Sequence, residues 1–287
     1  MIRLLALDID GTLLDSSGHV PEANVQAVAR ALDAGVAVTL ATGRRFDFAR
    51  AIFERLPPAI TLILSNGAVV KTTAGDTLVR RLLPREVALD VLRRVPGHRD
   101  SAAVVFDRPR EGQVVFEAID WEHPRHSRFF ESNRPFLSEV APLEGCLTED
   151  PIQVMFSGGC TAMRRVYEEL QEAGSAANGR GFDVALTEYQ HRDFSLVDVV
   201  QAGCSKGSAL RALADRLGIA PSDVMAVGDN LNDLAMLEYA GIPVVMANSL
   251  SELTHRGWHV TASNDEAGVA RAIERFVLNE TAPDRQG

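Results

Sequence analysis

Apolar residues in this chain fall into short runs that alternate with stretches of helical periodicity at both ends of the sequence, and the rhythm changes in the middle. Residues 2–7 form one such run, too short for a helix and without polar alternation, as a strand buried on both faces requires. Residues 21–34 predict a helix, with Pro21 at its first position, Val25, Val28 and Leu32 on one face, and Gly35 to end it. A strand over 36–41, a helix over 45–56 and a strand over 61–64 follow. Strand–helix–strand alternation implies parallel strands with right-handed crossovers, and so a doubly wound, Rossmann-like α/β sheet. The same rhythm returns late. Residues 206–217 read as a helix with Leu210, Leu213 and Leu217 on one side and Gly218 at its end. A strand over 224–227, a helix over 233–239, a strand over 242–246 and a closing helix over 266–278 complete the pattern. The polar tail, 279–287, is expected to fray.

Between these halves the sequence predicts strands over 102–106, 113–119, 152–156 and 183–187, mixed with helices over 85–95 and 161–173. This is the pattern of an α+β domain spliced into the α/β one. The expected division is a core of residues 1–83 plus 197–287 and an insertion of residues 84–196.

Composition narrows the classes of function. Hydrophobic residues make up 46% of the chain, enough for a real core, and aromatics only 6%, too few for a base-stacking surface. The formal net charge of −10 and the lack of any Lys/Arg block exclude nucleic-acid and anionic-membrane footprints. An anionic substrate would therefore need positive partners that are few, local and metallic. Cys146, Cys160 and Cys204 are odd in number and far apart, which suits reduced thiols in a cytoplasmic protein. The run 2–7 is too short for a signal peptide, and no stretch approaches the roughly 20 apolar residues of a membrane span. Nothing in the pattern specifies an oligomeric state.

Four clusters carry chemistry. Asp8-Ile9-Asp10-Gly11-Thr12 follows the first strand, and residues two apart in extended chain face the same side. Both carboxylates can thus point into the crevice beyond the strand's carboxyl end, where open α/β sheets bind ligands. So close a pair needs a cation or a shared proton between them. Gly228-Asp229-Asn230-Leu231-Asn232-Asp233 places two more carboxylates at another strand's end, and hard oxygen donors suit Mg²⁺. Asp233 also stands where a helix start favours negative charge. Ala41-Thr42-Gly43-Arg44 offers a hydroxyl and turn amides, as a phosphate nest or simply as a capped turn. Lys206, in Ser205-Lys206-Gly207, opens a helix where a cation is unfavourable unless an anion lies nearby.

In this order and at these positions the four clusters resemble the motifs of the haloacid dehalogenase-like superfamily of phosphohydrolases, and in detail its Cof-type subfamily. Ser65-Asn66-Gly67-Ala68 after the third strand is a further feature of that subfamily. The insertion lies between Thr42 and Lys206, the place of the larger, C2-type cap, a substrate-recognition domain. The resemblance implies a phosphatase acting on small phosphorylated metabolites such as sugar phosphates, nucleotides or cofactor phosphates, with Asp8 as nucleophile. It implies Mg²⁺ held by the Asp8 carboxylate, the Asp10 backbone carbonyl and Asp229, and Asp10 as general acid and base. Thr42, Gly43, Lys206 and Asn232 would bind phosphate, and Asp233 would sit near the metal or hold Lys206. Arg44 and Asn66 would make substrate-side contacts. Two departures stand out: Ala247 where a Gly is usual before Asn248, and Asp198 where a Glu is common. Two other readings compete: a phosphotransferase or phosphomutase, which uses the same intermediate, and a non-catalytic phosphometabolite sensor, which would be expected to lose the nucleophile or the metal ligands that are all present here. A metal site at His123 and His126 is disfavoured, because Pro124 breaks the helix that would align them.

Overall fold

The computed structural model describes residues 1–122, 127–175 and 181–280. His123 and His126, Gly179 and Arg180, and positions 281–287 lie outside them.

The chain divides into two compact units, Met1–Val79 with Ser205–Gly287, and Arg80–Cys204. The first opens with β1 (Leu4–Leu7), α1 (Glu22–Asp33), β2 (Ala37–Ala41), α2 (Phe46–Phe53), β3 (Thr61–Leu64), β4 (Val69–Thr72) and β5 (Thr77–Arg80). The second contains α3 (Arg85–Arg94), β6 (Ala102–Val105), β7 (Val114–Phe116), α4 (Ser127–Asn133), β8 (Leu137–Glu139), β9 (Gln153–Gly158), α5 (Cys160–Ser175), β10 (Phe182–Tyr189) and β11 (Phe194–Gln201). The chain then returns through α6 (Lys206–Leu217), β12 (Val224–Gly228), α7 (Leu234–Tyr239), β13 (Ile242–Val245), α8 (Ser251–Thr254), β14 (His259–Val260) and α9 (Gly268–Phe276). No helix among the described residues is long and apolar enough to cross a membrane.

The first unit's sheet runs β14-β13-β12-β1-β2-β3-β4-β5. From β14 through β3 every neighbouring pair is parallel, and β3 and β4 pair antiparallel. Unbroken apolar runs produce this because a central parallel strand is covered on both faces. All four residues of β1 have no solvent exposure. From β1 the chain steps outward to β2 and β3, and after the insertion from β12 to β13 and β14. The direction of winding therefore reverses between β1 and β12, and loops leaving their carboxyl ends diverge around a crevice. Asp8 and Asp229 are the first residues beyond these two strands.

The second unit's sheet has the order β10-β11-β9-β6-β7-β8. β10, β11, β9, β6 and β7 pair antiparallel, and β8 lies parallel to β7. Unit boundaries fall at Val79/Arg80 and Cys204/Ser205 rather than at 83/84 and 196/197, because β11 pairs with β10 all the way to Gln201. Just inside the second unit, Arg81 Nη1 donates to the carbonyl of Gly203 at 3.1 Å and so ties the incoming and outgoing segments together.

Several expectations shift in detail. Pro21 is the N-cap of α1, and the helix buries Asn24, Ala27, Val28 and Ala31, a stripe turned away from Leu32. In α6, Leu210 and Leu213 are buried while Leu217 is 44% exposed, since the helix ends there at the left-handed Gly218. A short turn, Leu231–Asp233, precedes α7, so Asp233 stands just before that helix.

One close approach sets the packing of α6. A Cβ added at Gly207 would lie 2.2 Å from the Ala235 carbonyl oxygen, so α6 and α7 touch backbone to backbone. Gly207→Ala gains helix propensity worth about 1 kcal/mol. The collision costs more, and the expected outcome is a lower Tm in thermal denaturation. A Tm at or above the parent's would show that the helices have room to spare.

Candidate active site

The site begins where β1 runs out. The Asp8 amide donates to the Val227 carbonyl at 3.0 Å, carrying the β1–β12 ladder one residue past the strand. The chain then folds back in a wide turn, Ile9–Leu13, in which Gly11 takes φ of +84°. A Cβ there would sit 2.4 Å from Asp229 Oδ2, so both the left-handed backbone and the neighbouring loop require glycine. Three asparagines from distant elements collect the carbonyls this turn leaves unpaired. Asn248 Nδ2 donates to Gly11 O at 2.8 Å, Asn24 Nδ2 to Leu13 O at 3.1 Å and Asn264 Nδ2 to Leu14 O at 2.8 Å. Asn24 Oδ1 in turn accepts from the Ala270 amide at the start of α9, and Asn248 Oδ1 from the Asn264 amide. Sequence reasoning missed Asn24 and Asn264 altogether and met Asn248 only as part of a motif departure. A polar residue on the buried face of α1 is the one local signal.

At the centre lies Lys206, fully buried at the start of α6. Ser205 caps that helix, exchanging two 3.0 Å hydrogen bonds with Ser208. Lys206 Nζ donates to Asp8 Oδ1 at 2.6 Å and to Asp233 Oδ1 at 2.7 Å. The other oxygen of Asp233 accepts from the amides of Asp229 and Asn230, each at 3.0 Å. Thr12 Oγ1 donates to Asp229 Oδ1 at 2.9 Å. Asp233 thus grips Lys206 and lies in one cluster with the carboxylates of Asp8 and Asp229.

Asp8, Asp229 and Asp233 each offer a carboxylate oxygen within 4.8 Å of the others. The ammonium of Lys206 contacts two of these three buried carboxylates, and burial and the crowding of negative charge show in the proton affinities of Asp8 and Asp229. Burial, then the Asp233 carboxylate, push Asp8 up to about 7 against the pull of Lys206. Burial and the charge of Asp8 raise Asp229 well above the ordinary carboxylate range. Burial works against the charge of Lys206, but Asp233 and Asp8 outweigh it and hold the ammonium above lysine's ordinary range. Hard oxygen donors, close together, buried and short of positive charge, fit a divalent cation. With both Asp233 oxygens engaged by Lys206 and the loop amides, Asp8 and Asp229 are the carboxylates better placed to hold one.

The other candidate residues contact one another. The Asp10 carboxylate turns to Arg44, which grips it through Nε at 2.8 Å and Nη2 at 2.5 Å. Arg44 also donates to the Phe48 carbonyl at 3.3 Å and lies 4.4 Å over the Phe48 ring. A residue expected on the substrate side is thus tied to the expected acid–base group. Thr42 is buried, its amide bonded to Ile63 O at 2.9 Å and its hydroxyl accepting from the Arg44 amide at 3.1 Å. Asn232, expected on phosphate, donates through Nδ2 to Asn66 Oδ1 at 3.1 Å, and Asn66 lies against Gly43. Asp198 lies in β11 of the second unit, accepting from Gln153 at 2.7 Å.

The sequence matches the haloacid dehalogenase-like hydrolases across residues 5–273. It is 30% identical to the phosphatase YwpJ of Bacillus subtilis (strain 168), over 96% of this chain and 100% of that protein. It is 27% identical to the 5-amino-6-(5-phospho-D-ribitylamino)uracil phosphatase YwtE of the same organism, over 98% of this chain and 100% of the relative. In fold it matches a haloacid dehalogenase-like hydrolase from Bacteroides thetaiotaomicron with a TM-score of 0.76 at 23% identity, covering 96% of this chain and 100% of that one.

The charge excess has a measurable sign. Asp8 and Asp229 bind protons more tightly in the folded chain than at their ordinary value of 3.8. Without a cation, the contribution of Asp8 to stability is fully present below about pH 4 and is lost as pH rises through about 7, and that of Asp229 is lost in the same direction. A bound cation displaces those protons and removes the repulsion. The rise in Tm on adding Mg²⁺ should therefore be larger at about pH 8 than at about pH 5.5. Equal shifts at the two pH values would contradict this account of the cluster.

Proposed function

The chain belongs to the haloacid dehalogenase-like hydrolases, and from that premise we propose that it is a Mg²⁺-dependent cytoplasmic phosphatase that hydrolyses small-molecule phosphomonoesters through an aspartyl-phosphate on Asp8. The observation that carries the reading is the buried contact of Lys206 with Asp8, beside Asp229, at the carboxyl ends of β1 and β12. It fixes one carboxylate oxygen of the nucleophile and leaves the other for phosphorus.

In this reading the free Asp8 oxygen attacks phosphorus as the bond to the ester oxygen breaks, and Asp10 delivers its proton to the leaving alkoxide. Asp10 then takes a proton from water. The resulting hydroxide attacks the same phosphorus, the P–O bond to Asp8 breaks, and inorganic phosphate leaves. Arg44 orients the Asp10 carboxylate, and its two-point grip must loosen for Asp10 to carry a proton. Lys206 and Thr42 face the non-bridging oxygens, whose charge shifts during transfer, and Asp233 keeps Lys206 directed at them. Mg²⁺, held by the carboxylates of Asp8 and Asp229 and by the Asp10 carbonyl, supplies the positive charge that lets one anion approach another. Residues 84–196, within the second unit, would recognise the organic part of the substrate. The name of YwtE records a phosphorylated ribityl compound; a polyol or sugar phosphate is accordingly the first substrate class to try, with nucleotides and cofactor phosphates next.

Release of inorganic phosphate from a broad panel of phosphoesters tests the proposal. The parent protein with Mg²⁺ should turn over several of them, chelation should abolish the activity and Mg²⁺ restore it. Asp8→Asn should lower kcat/KM by more than about 10³-fold. A parent silent across the panel would favour a phosphometabolite sensor. Phosphate passed to an added sugar, with little released, would make the protein a phosphotransferase.

A further inference from the structure

Between β3 and β4 the backbone takes an unusual path. Ser65, Asn66 and Gly67 have φ of 47°, 53° and 99°, three consecutive residues in the left-handed region, two of them with a Cβ. Such a turn persists only where its surroundings hold it. Here it is held by three loops of the site at once. The Ser65 amide donates to Arg44 O and the Asn66 amide to Thr42 O, each at 3.0 Å. A Cβ on Gly67 would lie 2.2 Å from Ser205 O and 3.2 Å from the Lys206 amide nitrogen, so the turn abuts the start of α6. The Asn66 side chain, 1% exposed, accepts from Asn232 Nδ2 and lies beside Gly43.

We propose that Asn66 is a positioning residue for the phosphate-binding part of the site, acting through Asn232 and the Thr42 loop rather than on the organic part of the substrate. The inference rests on the phosphatase reading. Asparagine meets two requirements together. It tolerates the left-handed backbone better than most residues with a Cβ, and its Oδ1 gives Asn232 an acceptor. Glycine would satisfy only the first. Aspartate would keep the acceptor but place a negative charge beside a phosphate site.

The test is Asn66→Gly, which keeps the backbone and removes the amide, beside Asn232→Ala and the double variant. Inorganic phosphate binding is measured by calorimetry with Mg²⁺, and kcat and KM are measured on two phosphoesters with unlike organic groups. Asn66→Gly should bind inorganic phosphate about tenfold or more weakly. It should lose kcat by one common factor on both esters, and the double variant should be no worse than the poorer single one. Parent-like phosphate binding in Asn66→Gly, losses that differ between the two esters, or additive losses in the double variant would each overturn the proposal. If Asn66→Gly does not fold, Asn232→Ala reads the same contact from the other side, and parent-like phosphate binding there overturns it equally. A parent that binds inorganic phosphate yet hydrolyses no ester would sink the phosphatase reading alone, because the binding series still reports on Asn66.

Discussion

A buried ammonium held between two carboxylates organises this molecule. Taking Lys206 out of water costs several kcal/mol unless its charge is met in full, and Asp8 and Asp233 meet it at 2.6 and 2.7 Å. The partners lie 198 and 27 residues away along the chain. One contact thus joins the end of the first strand, the start of the helix that follows the insertion, and the loop beyond β12. The compensation overshoots, since Asp229 adds a third carboxylate to the same pocket of low dielectric. Burial first, and then this surplus negative charge, raise Asp8 and Asp229, and the surplus is also what a divalent cation would neutralise. Structural need and the proposed chemistry therefore fall on the same residues.

Around this centre the loops are held by backbone contact as much as by side chains. Gly11 against Asp229, Gly67 against Ser205 and Gly207 against Ala235 leave no room for a methyl group. Each approach brings together segments that the sheet alone would leave apart. The asparagines at 24, 248 and 264 do the same for the turn after Asp8, using amides where water would otherwise be needed. The loops that carry the chemistry are in this way as constrained as the strands that support them.

Much of this was legible in the sequence, for a physical reason. Central parallel strands must be apolar on both faces, so β1, β2 and β12 announce themselves as unbroken runs, and the acidic clusters directly after β1 and β12 mark the crevice. Other elements carry no such signature. β4 and β5 have mixed exposure and no clear period, and β14 is two exposed residues at a sheet edge. β8 is three residues long, and β11 was cut by the expected boundary at 196/197 because its polar Ser195 and Asp198 interrupt an otherwise apolar run. Most pairwise contacts carry no local signal, and the one suggested, Asp233 on Lys206, came only with the resemblance. Nothing local says that Arg44 reaches back 34 residues to Asp10, or that Asn66 meets Asn232 across 166. Residue types are local, but who touches whom depends on the completed sheet.

The hydrogen bond between Arg81 and Gly203 has a bearing on how a chain can carry so long an interruption. Bringing the ends of a flexible loop together costs entropy that grows with its length. The unit Arg80–Cys204 folds on its own contacts and holds its two ends side by side. To the sheet on either side of the interruption it therefore behaves as a short connection whose closure has already been met elsewhere. Length inserted at this point adds little entropic load to the fold that hosts it, provided the inserted segment closes upon itself.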